Sequence, residues 1–384
     1  MIIKLIRKIN ISTYKSLLLV FLLAISKIGI AQEDTLLYPV TSDSKTTLSI
    51  FAYLDVFYAY DFNKPVSNIR VPYMVNHNRH NEFNLNIGAI GTSIQNDRYH
   101  AKIVLQAGTY AIDNYANENE VMRIVNEASA GIALTRNRKL WLDAGILNSH
   151  IGFEALNMMD GITLTRSLMV ENIPYYLTGA KLTYTFNEKW SLLAMITNGW
   201  QRIKRVEGNS MMSYSTGLYF TPSDKLKFGW NTFIGTDDPD TTRRMRYFNE
   251  IYALITFNNK WTIRTGLDYG IQQTSKGSDH YNPWFLASFL TQYAFHPHWA
   301  LGLRSEYAID KYRIIIDNPT PNEFVLWGLS ANLDYKPIKN VLARIEGRYW
   351  FSENQIFVKN ESYVSNDLFI TFSLLITFGK DFNL

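Results

Sequence analysis

The sequence predicts an all-β protein, a transmembrane antiparallel up-and-down β-barrel of about 16 strands with short periplasmic turns and long extracellular loops. Three observations predict it. The first 31 residues read as an export signal, the remainder alternates oily and wet side chains, and aromatic residues gather beside its tight turns.

In the leader, Lys4, Arg7, Lys8 and Lys15 form a basic start, 17–25 an apolar core, and Gly29-Ile30-Ala31 a small-residue cleavage site. The apolar run is too short to span a bilayer comfortably. The expected organisation is therefore a signal peptide over 1–31 cleaved after Ala31, a short periplasmic segment over 32–47, and a barrel over 48–384. With Lys27 the leader holds five basic residues and no acidic one, so its removal takes the formal charge from +4 to −1. That leaves no electrostatic footprint for nucleic acid. Cysteine is absent, which excludes a lipid-modified cysteine and a disulfide framework.

The first strand is expected at 48–60. Turn-forming residues then mark seven tight connections, at 95–97, 136–138, 187–189, 222–224, 258–260, 296–298 and 336–340. Between them lie eight longer polar stretches, at 61–79, 112–119, 148–174, 199–211, 236–246, 272–282, 309–322 and 352–366. Alternating seven turns with eight loops requires 16 strands and puts both ends on the short-turn side. In the closing strand, 368–384, Leu368, Ile370, Phe372, Leu374, Ile376 and Phe378 share one face, and Thr371, Ser373 and Thr377 the other. A terminal Phe would be the more usual ending than Leu384.

Strands near 99–109, 226–234, 261–269, 299–307 and 341–349 repeat the pattern, with charge confined to one face. A single Lys or Arg at mid-bilayer costs roughly 2–4 kcal/mol, so exclusion of charge from the oily faces fits lipid. A soluble sandwich also alternates, but it buries its aromatics mid-strand. Here Phe186 with Trp190, Phe257 with Trp261, and Phe295 with Trp299 bracket turns, as an interfacial girdle does. The polar faces predict lumen-lining Lys102, Arg123, Glu127, Asp143, Lys181, Arg264, Arg304, Glu306, Arg344, Glu346 and Arg348. A barrel of this size leaves an aqueous channel.

The third loop carries many apolar residues, among them Ile151, Phe153, Leu156, Met158, Leu164, Leu168 and Met169. A solvated loop has no use for them, so this one is expected to fold back into the barrel mouth. Arg166, Glu154, Glu171, His150 and Asp160 then become the expected pore constriction. The alternative is a compact loop on the outer rim.

No catalytic residue, metal site or cofactor is expected. Asp237-Asp238-Pro239-Asp240 lacks the spacing of a calcium loop, and His77 and His80 lack further ligands. No phosphate loop or nucleophile elbow occurs. A plugged receptor would need a plug domain and more strands.

Several stretches resemble the putative beta-barrel porin-2 (OmpL-like) family of bacterial outer-membrane proteins. They are 52–61, 77–86, Leu142 to Leu147, Ser149 to Glu154, Thr163 to Leu168 with Glu171-Asn172, and Asn198-Gly199-Trp200-Gln201, densest over 48–205. The resemblance implies an outer-membrane channel and leaves the solute open.

The function expected is a non-enzymatic porin-like channel for passive diffusion of small hydrophilic solutes in the outer membrane of a Gram-negative cell. Its partners would be outer-membrane lipid, the solute and, through small outward residues such as Ala128 and Ala130, a homotrimer. The alternatives are a loop-occluded adhesin or scaffold and, more distantly, a barrel hydrolase.

Overall fold

Alternation closes on itself. In the computed structural model, which describes residues 45–384 apart from Leu156 and Asn259, 16 strands form one closed antiparallel barrel. The expected export signal and cleavage site lie outside the described residues. No helix among the described residues is long and apolar enough to cross a membrane; the strands do the crossing.

Seven hairpins meet at the seven predicted turns. They are β2 (Glu82–Gln95) with β3 (Tyr99–Ala107), β4 (Val125–Ala133) with β5 (Leu140–Asn148), and β6 (Tyr176–Thr185) with β7 (Trp190–Thr197). Then come β8 (Ser213–Ser223) with β9 (Leu226–Gly235), and β10 (Arg246–Phe257) with β11 (Trp261–Gln273). Last are β12 (Tyr281–His296) with β13 (Trp299–Asp310), and β14 (Phe324–Ile338) with β15 (Val341–Phe351). β1 (Thr47–Asp61) and β18 (Asn366–Asn383) complete the ring, paired from Thr47↔Asn383 to Asp61↔Phe369. A small hairpin, β16 (Phe357–Lys359) with β17 (Ser362–Val364), sits inside the eighth loop.

The eight long connections, L1 to L8 in chain order, fall where the sequence put them, except that L2 runs over 108–124 in place of 112–119. L2 holds α1 (Thr109–Asn114) and α2 (Glu120–Arg123), the latter capped by the Asn119 side chain on Met122 N. L3 spans 149–175 and holds a 3-10 turn (Met158–Asp160) and α3 (Leu168–Glu171), capped by Ser167 on Val170 N.

The outward face is the oily one. Leu368, Phe372, Leu374, Ile376 and Phe378 of β18 are exposed on the isolated chain, while Thr371 and Ser373 are buried. Near the short turns the outward rings meet in pairs across strands: Trp190 stacks on Phe220 at 4.3 Å and Trp261 on Tyr293 at 4.6 Å, and Trp299 lies tilted against Tyr335 at 4.5 Å. Such rings suit the interface between headgroup and hydrocarbon.

The interior departs from a simple wet face. On β9 to β15 and β18, the inward Phe233, Phe248, Tyr252, Trp284, Leu286, Leu290, Trp350 and Phe369 are buried. They pack in one apolar cluster with Tyr73 and Met74 of L1, Ile151, Phe153, Leu168 and Met169 of L3, Ile316 of L7, and Phe357 of L8. L1 and L3 both fold inward and fill the loop half of this side of the barrel.

Candidate functional site

L3 crosses the lumen and docks on the wall strand by strand. At its start the His150 ring nitrogen Nε2 meets Ser215 Oγ of β8 at 2.7 Å, and the His150 carbonyl accepts from Asn231 Nδ2 of β9 at 2.8 Å. Gly152 N donates to Glu250 of β10 at 2.9 Å. Arg264 of β11 donates to the Asp160 carbonyl at 2.8 Å, and Asn332 of β14 to the Ile162 carbonyl at 3.2 Å. Two glycines permit this closeness. A Cβ at Gly302 would stand 2.5 Å from the Ile162 carbonyl, and one at Gly266 2.7 Å from the Phe153 ring.

The tightest part of the dock is ionic. Arg304 of β13 donates to the Thr165 carbonyl at 2.6 Å and the Thr165 hydroxyl at 3.0 Å, and pairs with Glu346 of β15. Glu346 in turn accepts from Thr165 N at 2.6 Å. Glu306 accepts from Leu168 N at 2.8 Å, from Arg348 Nε at 2.9 Å and from Trp350 Nε1 at 2.8 Å. Arg344 reaches the carbonyls of Met158 at 3.1 Å and Thr163 at 2.9 Å, bonds that of Gly161 as well, and pairs with Asp334 at 2.7 Å. Every one of these wall charges is buried. A buried guanidinium is tolerated only when its donors find acceptors, and here loop carbonyls supply them.

The residues singled out in the sequence therefore divide. Arg304, Glu306, Arg344, Glu346 and Arg348 point inward but lie covered by L3. Lys102, Glu127, Asp143 and Lys181 line open space on the opposite arc, β3 to β6, with Lys102–Glu127 at 2.8 Å, Lys181–Asp143 at 3.5 Å and His100–Asp143 at 2.5 Å. With Ser49, Ser93, Gln95 and Ser129 they bound a polar cavity of about 470 Å³ in the turn half. Arg123 departs from the expectation. It lies in α2 of L2, where its guanidinium caps the Ala116 and Glu118 carbonyls at 3.0 Å, because the chain turns helical before β4 begins.

Of the five loop residues, Glu154 and Arg166 share a small cavity of about 40 Å³ with Ser149 and Tyr175. Glu154 accepts from Ser167 N at 2.9 Å, and the Arg166 guanidinium lies 5.2 Å from the centre of the Tyr175 ring. Glu171 faces L1, accepting from Val75 N at 2.8 Å and Asn76 Nδ2 at 3.1 Å; burial pushes its carboxyl up. The His150 imidazole is pushed well down by burial and by the nearby Lys181 charge, so it adds no charge at neutral pH. Asp160 is exposed at the end of the 3-10 turn.

L1 is a second inward-folded loop that sequence reasoning missed. His77 Nε2 meets Asp55 of β1 at 2.9 Å, and the same carboxylate accepts from Asn86 of β2 at 3.0 Å and Ser373 of β18 at 2.7 Å. The run Val71-Pro72-Tyr73-Met74-Val75 was the available signal, apolar residues in a loop being the same cue used for L3. Among the described residues, no group of three or more His, Asp or Glu side chains is placed to hold a metal ion. Asp238 and Asp240 of L5 are engaged by Arg244 and Arg243.

The family model described as Putative beta-barrel porin-2, OmpL-like, matches residues 47–378. Among solved structures, the chain is similar to OmpT of Vibrio cholerae in its trimer form, with a TM-score of 0.57 at 8% identity over 87% of this chain and 99% of that one. It is similar to the outer membrane channel DcaP of Acinetobacter baumannii, with a TM-score of 0.56 at 11% identity over 89% and 99%. It is similar to an anion-selective porin from Comamonas acidovorans, with a TM-score of 0.57 at 7% identity over 87% and 100%. At such identities the likeness is one of fold. No curated protein sequence matches the chain.

Proposed function

The chain belongs to the Putative beta-barrel porin-2, OmpL-like family of outer-membrane barrels, and from that premise we propose that it is a passive channel for small hydrophilic solutes with L3 as its constriction. The observation that carries the reading is the split interior. L3 is bound to β8–β15, while β3–β6 keep a polar, partly solvated face beside it. A solute would pass along that face, between the Lys102–Glu127 and Lys181–Asp143 pairs and L3, whose Glu154 and buried Arg166 border a small cavity of about 40 Å³. Mixed signs so close together set a transverse field that orients dipolar solutes. No covalent step is needed.

Purified protein in planar bilayers should conduct in discrete steps, and proteoliposomes should swell in small sugars more slowly as sugar size rises. A silent barrel in both assays would sink the reading. It would also favour a second one, a loop-occluded scaffold, which the apolar packing of L1, L3, L7 and L8 supports. OmpT of Vibrio cholerae is described as a trimer; we propose the same state here, with Ala128 and Ala130 of β4 in the contact, and its test is the mass of the detergent-extracted particle.

A further inference from the structure

Above L3, the loops leave a second cavity of about 320 Å³ whose hydrogen-bonding atoms do not balance. Its acceptors are already engaged. Asp113 takes Arg79 and Asn78, Glu171 takes Val75 N and Asn76, and Asp237 takes Trp200 N at 3.0 Å. Its donors are not. Asn114 is 6% exposed and its amide nitrogen makes no close hydrogen bond, with the Tyr110 hydroxyl its neighbour. Arg202 Nε is buried without a hydrogen bond, the Asp237 carboxylate standing 3.8 Å away. Arg246 makes one hydrogen bond among the described residues, from Nε to Gln272 at 2.9 Å, which leaves both terminal nitrogens over.

The setting of Arg246 says what the missing acceptor is. Its guanidinium carbon lies 5.2 Å from the centre of the Trp200 ring and 5.9 Å from that of Trp284, so two indoles hold the group. A guanidinium held by rings and open at its terminal nitrogens matches a carboxylate, whose two oxygens take a pair of parallel N–H bonds. The remainder of the lining includes Ile173, Ile314 and Ile315, a surface for a short carbon chain and of no use to a bare inorganic ion. Arg246 and Arg202 lie together at the Asp237 end of the cavity, where Asp237 pairs with Arg202 at 3.8 Å and the terminal nitrogens of Arg246 remain over.

We propose that this cavity is a capture site for small organic carboxylates at the outer mouth, with Arg246 and Arg202 binding the carboxylate and the Asn114 amide donating a further hydrogen bond. The proposal gives a solute class to the channel reading and rests on it for its purpose, but its binding step is measured separately.

The experiment is calorimetric titration of the purified full-length protein in detergent with succinate, beside dimethyl succinate, glucose and inorganic phosphate, with bilayer conductance recorded on the same preparation. Succinate should bind saturably, the ester and glucose should give no signal, and phosphate should bind at least tenfold more weakly. Arg246→Gln should weaken succinate at least tenfold and Asn114→Leu severalfold, with heat-modifiable gel migration showing an intact barrel. Arg202→Gln serves in place of Arg246→Gln if that variant does not fold. Equal binding of acid and ester, phosphate binding as tightly as succinate, or intact variants with unchanged affinity would each overturn the proposal. A silent bilayer with saturable succinate binding would instead strike the channel reading and leave the site standing. Normal conductance without succinate binding would do the reverse.

Discussion

Two arcs of one wall carry the same kinds of side chain and use them in opposite ways. On β13 and β15, Arg304, Glu306, Glu346 and Arg348 are at most 3% exposed and are bound to loop backbone. On β3 to β6, the Lys102 and Lys181 side chains remain 35% and 25% exposed beside their acids. Strand geometry is the same in both. The difference is the loop laid over one arc and absent from the other. A period of two tells which side chains face inward; it does not tell whether the inside is wet. Residue choice follows the cover: guanidinium, with five donors in a fork, where several carbonyls must be met at once, and ammonium where water completes the shell.

The comparison breaks most readily at Glu346. Glu346→Leu removes the nearer of the two acids on buried Arg304, leaving Glu306 at 3.8 Å, and strands Thr165 N, a loss of roughly 3 kcal/mol for one partner of a buried pair. The thermal midpoint of the detergent-solubilised barrel should fall clearly, and single-channel current should become larger and noisier as L3 lifts. An unchanged midpoint would erase the distinction between the arcs. Removing both partners, Arg304→Met with Glu346→Leu, should recover part of the loss, because no lone charge is left behind.

Lys102→Gln supplies the opposite limb. A partly solvated pair contributes less than about 1 kcal/mol, so the midpoint should hold while the reversal potential in a salt gradient moves toward cations. Arg166→Gln, at a buried L3 side chain that donates to the Ala155 carbonyl at 3.0 Å, should move the reversal potential in the same direction and lower the midpoint by less than Glu346→Leu does. A large stability loss there would put Arg166 in the dock instead of the passage.

The smallest effect concerns pH at the start of L3. The folded His150 imidazole has a lowered pKa, so the unfolded chain binds a proton that the folded chain refuses. That contribution is complete above the ordinary value of about 6.5 and declines as pH falls below it. Amide-exchange protection at 151–153 should therefore drop between pH 7 and pH 5, and stay level in His150→Asn.

Most of the wall was legible in the sequence. Seven turns, eight loops and 16 strands follow from local chemistry, since turn residues and alternation are read within ten residues of each other. What escaped was decided at long range. Arg344 meets Gly161 across 183 residues, and no local pattern encodes that. The strand β12 did carry a warning: Trp284-Phe285-Leu286-Ala287 runs apolar on both faces, the mark of a strand buried on both sides. Arg123 was misplaced for a simpler reason. It sits two residues before β4, and the edges of strands are the least certain part of such a reading.

Asp55 has a consequence for how the molecule is made. One buried carboxylate ties the first strand to the last through Ser373, to its hairpin neighbour through Asn86, and to L1 through His77. Until β18 arrives, β1 is a sheet edge with unpaired backbone. Its arrival supplies the Ser373 hydroxyl that completes the shell in which His77 is also held. Sealing the wall and settling the first loop into the mouth thus become one event in time, and a nascent barrel with a gap in its side is also one with its entrance unfinished.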